Sequence, residues 1–140
     1  MKYVAYGSNL SLDQMAHRCP GSKVVGTGTL HDYKLEFRTH ANVVPAKGHT
    51  VPVLVWEIPQ EDLAALDRYE GFPVYYVRKT VPVEMDGGKV VDGIVYVMTP
   101  KKERIPPTCR YLAIILEGYA RFGFSPLPVA EALRAVERWF

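Results

Sequence analysis

The sequence predicts an α+β fold: a small, mostly antiparallel and strongly curved sheet or β-barrel with flanking helices. Strand-like segments fill the middle of the 140-residue chain, while helix-like segments interrupt and finish it without regular βα alternation. Val51 to Ile58 is apolar on both faces, with Val51, Val53 and Val55 on one and Leu54, Trp56 and Ile58 on the other, so this strand belongs at the centre of a sheet. Asp86-Gly87-Gly88 is a strong hairpin signal between two further strand-like runs.

The elements follow in order. Lys2 to Tyr6 mixes apolar and aromatic residues as a strand does, and Gly7, Ser8 and Asn9 break it abruptly. Leu12, Met15 and Ala16 have helical spacing, with Ser11 as N-cap and Pro20-Gly21 as the stop. Val24 to Arg38 reads as two strand pieces bent around Leu30 to Tyr33, and the turn-rich Ala41 to Thr50 is expected to be a loop near the site. Pro59 opens a helix over Gln60 to Tyr69 that Gly71 stops. Val74 to Val83 and Val90 to Met98 are the strands of the predicted hairpin. After Pro100 a charged, proline-rich connection leads to a helix over Tyr111 to Phe122, with Leu112, Ile115, Leu116 and Tyr119 as its apolar stripe. A last helix starts at Pro126 or Pro128 and presents Leu133, Val136 and Phe140.

Composition narrows the function classes. With 48% hydrophobic and 23% charged residues, residues 1–140 are expected to form one soluble domain able to bury its own core. The net charge of +2 is interspersed, and the densest basic stretch, Lys101, Lys102 and Arg104, is interrupted by Glu103; it reads as a solvated loop, and no nucleic-acid partner is expected. There is no run of 18 apolar residues and no signal-peptide pattern, so no membrane partner is expected and the cytoplasm is the default location. Cys19 and Cys109 lack the paired spacing of a zinc site, and His17, His31, His40 and His49 are scattered, so no metal is expected. The oligomeric state, a homodimer included, is left open.

Two places concentrate chemical meaning. Leu63, Leu66 and Glu70 fall at i, i+3 and i+7, so Glu70 continues an apolar stripe and ends beside a helix C-terminus; both surroundings raise a carboxyl pKa toward the range of a proton shuttle. The alternative is an exposed Glu70 at a frayed helix end with Tyr69 turned inward. The second place is Tyr6-Gly7-Ser8-Asn9-Leu10, a strand-to-helix loop whose backbone N–H groups can grip a carboxylate or an oxyanion, unless it is a plain turn. Ser8 lacks the second glycine of a nucleophile elbow and an identifiable base, which argues against a nucleophile there. Tyr75 and Tyr76 alternate faces, so one can line a pocket, and Tyr111 brings a ring and one directional hydrogen bond to a helix start.

Taken together, Tyr6-Gly7-Ser8-Asn9-Leu10, the block Leu66-Asp67-Arg68-Tyr69-Glu70-Gly71 with Tyr76 after it, and Pro106-Pro107-Thr108-Cys109-Arg110-Tyr111 resemble the γ-glutamylcyclotransferase family in order and spacing across most of the chain. The resemblance implies a small barrel with flanking helices and a pocket at one barrel end. It implies that Tyr6 to Leu10 bind substrate, with Ser11 standing where an apolar residue is common after the loop, and that Glu70 is the acid/base. It also implies that Tyr76, or Tyr75 in its place, closes the pocket together with Tyr111. The implied reaction converts a γ-glutamyl amide into 5-oxoproline and a free amine without a cofactor, with the loop N–H groups holding either the α-carboxylate or the developing oxyanion. A non-catalytic binding protein for a γ-glutamyl or amino-acid-like metabolite is the alternative. Removing the Tyr111 hydroxyl is expected to lower substrate affinity while leaving stability little changed.

Overall fold

The computed structural model describes residues 1–99 and 103–137, with strands β1 (Lys2–Ala5), β2 (Lys23–Arg38), β3 (His40–Glu57), β4 (Tyr76–Met85) and β5 (Val90–Met98). They close into a barrel in the spatial order β1-β3-β2-β4-β5. Neighbours are antiparallel except β1 and β5, which run parallel where Tyr3 faces Ile94. Among the described residues four helices, α1 (Leu12–Arg18), α2 (Gln60–Glu70), α3 (Cys109–Phe122) and α4 (Leu127–Glu137), flank it, and a 3₁₀ turn covers Ser8–Leu10. Among the described residues no helix is long and apolar enough to cross a membrane.

β3 lies between β1 and β2, and the two-sided apolar pattern of Val51 to Ile58 is the cause. Successive residues Val53 and Leu54 are both 0% exposed, so both faces of the strand are covered. Ile115 and Tyr119 of α3 and Val129, Ala132 and Val136 of α4 join the same core, whereas Leu116 is exposed and drops out of the expected stripe. α3 starts at Cys109, two residues before Tyr111, because the Thr108 hydroxyl caps it by accepting the Tyr111 N–H at 3.2 Å. α4 starts at Leu127, where the Pro126 carbonyl accepts the Ala130 N–H. Pro100, Lys101 and Lys102 of the connection, and Phe140 of the last helix's expected face, lie outside the described residues.

The expected loop Ala41 to Thr50 is instead the first part of β3, paired with β2 from Arg38 opposite His40 through to His31 opposite Thr50. Hairpin pairing with the strand immediately before it overrides the turn formers within the segment. The Asn42 amide turns inward, accepting the Met98 N–H at 2.8 Å and so tying β3 to β5. The register shift between His31 and Tyr33 gives a bulge at Asp32, whose carboxylate accepts the Gly48 N–H at 3.0 Å. That bulge is the bend expected around Leu30 to Tyr33, placed within one continuous strand.

The link from α2 to β4 sets the site. Gly71 is left-handed (φ +67°, ψ 36°), and its N–H and that of Phe72 return to the carbonyls of Arg68 and Asp67, which ends the helix directly after Glu70. The N–H groups of Val74 and Tyr75 both bond the Gly71 carbonyl, at 2.8 and 2.9 Å, so the chain folds back at once and β4 begins at Tyr76 rather than Val74. A Cβ at Gly71 would stand 2.4 Å from the Tyr75 ring. Gly71→Ala therefore combines a disfavoured backbone conformation with a clash, and chemical denaturation is expected to show a loss of about 1–3 kcal/mol.

Candidate active site

At one end of the barrel is a cavity of about 330 Å³. β1 contributes Tyr3 and Val4, the following loop Tyr6 to Asn9, the start of β3 His40 and Ala41, and the end of α2 Tyr69 and Glu70; Tyr76, Tyr96 and Tyr111 complete the lining. Glu70, Tyr6, Gly7, Ser8, Asn9, Tyr76 and Tyr111 are thus brought together, whereas Tyr75 is exposed, lies beside Gly71 and does not line the cavity. Leu10 and Ser11 do not line the cavity. Leu10 is wholly buried against α3 at Gly118, where a Cβ would come within 2.7 Å of its own, and Ser11 caps α1 by accepting the Gln14 N–H. Tyr3, His40, Tyr69 and Tyr96 were not foreseen; the available signal was a tyrosine set in otherwise aliphatic strands such as Val90 to Met98.

Asn9 holds the loop. Its buried side chain accepts from Arg18 Nη1 through Oδ1 and donates from Nδ2 to the Tyr3 hydroxyl at 2.8 Å, while its carbonyl accepts from Trp56 Nε1 at 3.2 Å. Arg18 also reaches Ser8 Oγ at 3.4 Å and stacks 3.6 Å over the Tyr69 ring. The 3₁₀ turn uses the N–H groups of Leu10 and Ser11, bonded to the carbonyls of Gly7 and Ser8, and leaves those of Gly7, Ser8 and Asn9 outside its own ladder. A Cβ on Gly7 would lie 3.2 Å from the Tyr111 hydroxyl, so the smallest residue lets loop and tyrosine meet.

Ala41 orients two tyrosines in opposite senses. Its N–H donates to the Tyr111 hydroxyl and its carbonyl accepts from the Tyr76 hydroxyl, each at 3.0 Å. Tyr111 therefore keeps its own hydrogen to give, and Tyr76 keeps lone pairs to receive. Tyr6 donates to the Tyr96 carbonyl and Tyr96 to Asp67 Oδ1, both at 2.6 Å. Because the Tyr111 hydroxyl also accepts the part-buried Ala41 N–H, its removal is expected to cost about 1 kcal/mol of stability alongside the loss of affinity, which denaturation and binding of Tyr111→Phe would measure.

Glu70 is the carboxyl in this cavity, and burial pushes its pKa up to about 7, with Arg18 pulling the other way. The opposite arrangement, with Tyr69 inward and Glu70 exposed, is not adopted: Tyr69 is 47% exposed and forms the rim beneath Arg18. Burial also raises the pKa of Tyr3, Tyr6, Tyr76, Tyr96 and Tyr111, so these phenols stay neutral around Glu70.

The family described as Gamma-glutamyl cyclotransferase, AIG2-like matches residues 3–113. The chain belongs to this family. The Gamma-glutamylcyclotransferase of Homo sapiens is 32% identical over 96% of this chain and 78% of its own length, and that of Bos taurus is 30% identical over the same shares. Among solved structures, a Gamma-glutamyl cyclotransferase superposes with a TM-score of 0.85 at 31% identity, covering 97% of this chain and 87% of its own. A Bacillus subtilis protein, YkqA, shares the fold with a TM-score of 0.79 over 98% of this chain and 54% of its own.

Glu70 makes stability depend on pH with a definite sign. Its pKa rises from about 4.5 to about 7 on folding. The Glu70 contribution to stability is therefore most favourable below about pH 4.5, where the group is protonated in both states, declines as pH rises toward 7, and levels off above that. Glu70→Gln carries no proton to lose. Thermal denaturation is expected to show its melting temperature rising relative to that of the unsubstituted protein between pH 4.5 and 7, with a constant difference outside that window.

Proposed function

We propose that this protein is a γ-glutamylcyclotransferase, converting a γ-glutamyl amide to 5-oxoproline and a free amine, with Glu70 as general acid and base. The observation that carries this reading is a carboxyl poised at about pH 7 inside a cavity walled by neutral tyrosines and an amide-bearing loop. A carboxyl at that value both takes and returns a proton near neutrality.

Ionised Glu70 removes a proton from the substrate's α-ammonium group, and the freed amine attacks its own γ-carbonyl carbon. A C–N bond forms and the carbonyl electrons move onto oxygen. On collapse the bond to the departing nitrogen breaks and protonated Glu70 gives that nitrogen its hydrogen; the regenerated carboxylate then takes the second hydrogen from the ring nitrogen and passes it to the departing amine, leaving a neutral lactam and an ammonium. Attack within one molecule makes alignment the main task, and holding the glutamyl chain in a ring-ready shape is worth several of the roughly 7–11 kcal/mol available to such pre-organisation. The fixed senses of the hydroxyls suit it: Tyr76 and Tyr6 offer lone pairs to the ammonium, and Tyr111 with the loop N–H groups offers hydrogens to the α-carboxylate. No step calls for a cofactor.

Residues 1–140 act in this reading as a single domain, supported by the core that barrel and helices share. Cys19 and Cys109 are both free, which suits the reducing cytoplasm.

Incubation of the purified protein with a panel of γ-glutamyl amides is expected to release 5-oxoproline. Turnover should rise with pH through about 7 as Glu70 ionises. Glu70→Gln should lower turnover by at least roughly a hundredfold while ligand binding persists. Binding without 5-oxoproline for every amide would point to a metabolite-binding protein instead.

A further inference from the structure

We propose that Tyr3 is a further catalytic residue, donating a hydrogen bond to the γ-carbonyl oxygen under attack, and that Arg18 and Asn9 position and polarise it. This rests on the cyclotransferase reading above.

Hydrogen-bond accounting singles Tyr3 out. Arg18 can only donate, so its contact with Oδ1 fixes the orientation of the Asn9 amide and turns Nδ2 toward Tyr3. The Tyr3 hydroxyl accepts that bond and must place its own hydrogen elsewhere, and among the described residues none accepts it. Tyr3 is 4% exposed and lines the cavity, so the hydrogen has the cavity as its destination. The hydrogens of Tyr6, Tyr96 and Tyr76 are already committed to the Tyr96 carbonyl, Asp67 and the Ala41 carbonyl. Of these five tyrosines, Tyr3 and Tyr111 alone can donate inward.

Their places divide the work. Tyr111 meets Gly7 and Ala41 beside the loop, where the α-carboxylate has further N–H donors. Both tyrosines lie in the field of Glu70, the group that handles protons on both nitrogens attached to the γ-carbon, but Tyr3 rises from β1 and is held by the Asn9 side chain, apart from the Ala41 N–H that holds Tyr111. A donor there faces the oxygen on which charge develops, and such donors act mainly in the transition state. Arg18 is absent from the cavity lining but touches Asn9 Oδ1, so its charge polarises the amide and, through it, the Tyr3 O–H. No proton is transferred: burial and nearby Glu70 keep the phenol protonated throughout.

The experiment compares kcat, KM and pH profiles for the unsubstituted protein, Tyr3→Phe, Arg18→Gln and the double variant, each verified as folded by circular dichroism at the assay temperature. Tyr3→Phe is expected to lower plateau kcat by about ten- to a hundredfold or more with KM nearly unchanged. Arg18→Gln should lower plateau kcat less, and the double variant should be no slower than Tyr3→Phe, because the relay ends at the hydroxyl. Arg18→Gln should also move the acidic limb upward, since Arg18 lowers the Glu70 pKa, whereas Tyr3→Phe should leave the limb in place. Binding of 5-oxoproline, whose ring carbonyl is the former γ-carbonyl, should weaken in Tyr3→Phe. Unchanged plateau kcat in Tyr3→Phe, multiplicative losses in the double variant, or a shift of the limb in Tyr3→Phe with the plateau intact would each overturn the assignment. If Tyr3→Phe fails to fold, replacement of Tyr3 by 3-fluorotyrosine keeps the shape with a more acidic phenol; a changed plateau kcat supports the role and an unchanged one overturns it. An active unsubstituted protein with inactive Glu70→Gln and unimpaired Tyr3→Phe refutes this inference alone, whereas absence of 5-oxoproline formation by the unsubstituted protein removes the cyclotransferase reading and this inference with it.

Discussion

The open end of the barrel depends on one buried amide. Asn9 joins α1 through Arg18, β1 through Tyr3 and β3 through Trp56, so three elements converge on a single residue of the loop. A buried primary amide is tolerable only when its polar atoms are satisfied, and here the side chain has a donor and an acceptor as partners. The same bonds hold the loop amides in place before any ligand arrives. That pre-organisation explains why the loop is a tight 3₁₀ turn with Leu10 driven under α3, and why its useful surface is backbone more than side chain.

Around that anchor the cavity balances two opposed demands. A carboxyl must be desolvated enough to hold its proton near neutrality, yet not so isolated that it never ionises. Burial supplies the first and Arg18, kept behind the loop, opposes it. Tyrosines are suited to such a wall: they exclude water like hydrocarbons and present hydroxyls that remain uncharged beside Glu70. The N–H and C=O of Ala41, bonded to Tyr111 and Tyr76 respectively, then impose opposite hydrogen-bonding senses on the two tyrosines.

Much of this was legible in local patterns. The two-sided apolar run Val51 to Ile58, the helix ending at Glu70 with Gly71 behind it, and the Asp86-Gly87-Gly88 turn all follow from periodicity and turn chemistry. Ala41 to Thr50 was not, because Asn42, Pro45 and Gly48 look like turn formers until hairpin pairing with β2 and a bond to distant β5 supply their partners. The candidate site divides along the same line. Glu70 and the loop were conspicuous from their neighbours in sequence, whereas the inward placing of Tyr3, Tyr96 and His40 is a consequence of barrel closure. Leu10 and Ser11 show the converse: adjacent to cavity residues in the chain, they are turned to core and helix cap by a single tight turn. The choice between Tyr75 and Tyr76 was decided by the length of the turn after Gly71.

The bonds that define the cavity span great lengths of chain: 90 residues between Tyr6 and Tyr96, 70 between Ala41 and Tyr111, 47 between Asn9 and Trp56 and 35 between Ala41 and Tyr76. Closing loops of that size costs entropy that local contacts do not return, so these contacts cannot precede the global fold. The cavity is therefore a late product of folding. Its assembly offers a sharper reporter of complete folding than helix content, since a collapsed chain could already carry α2 and α3 while Ala41 still lacked either tyrosine.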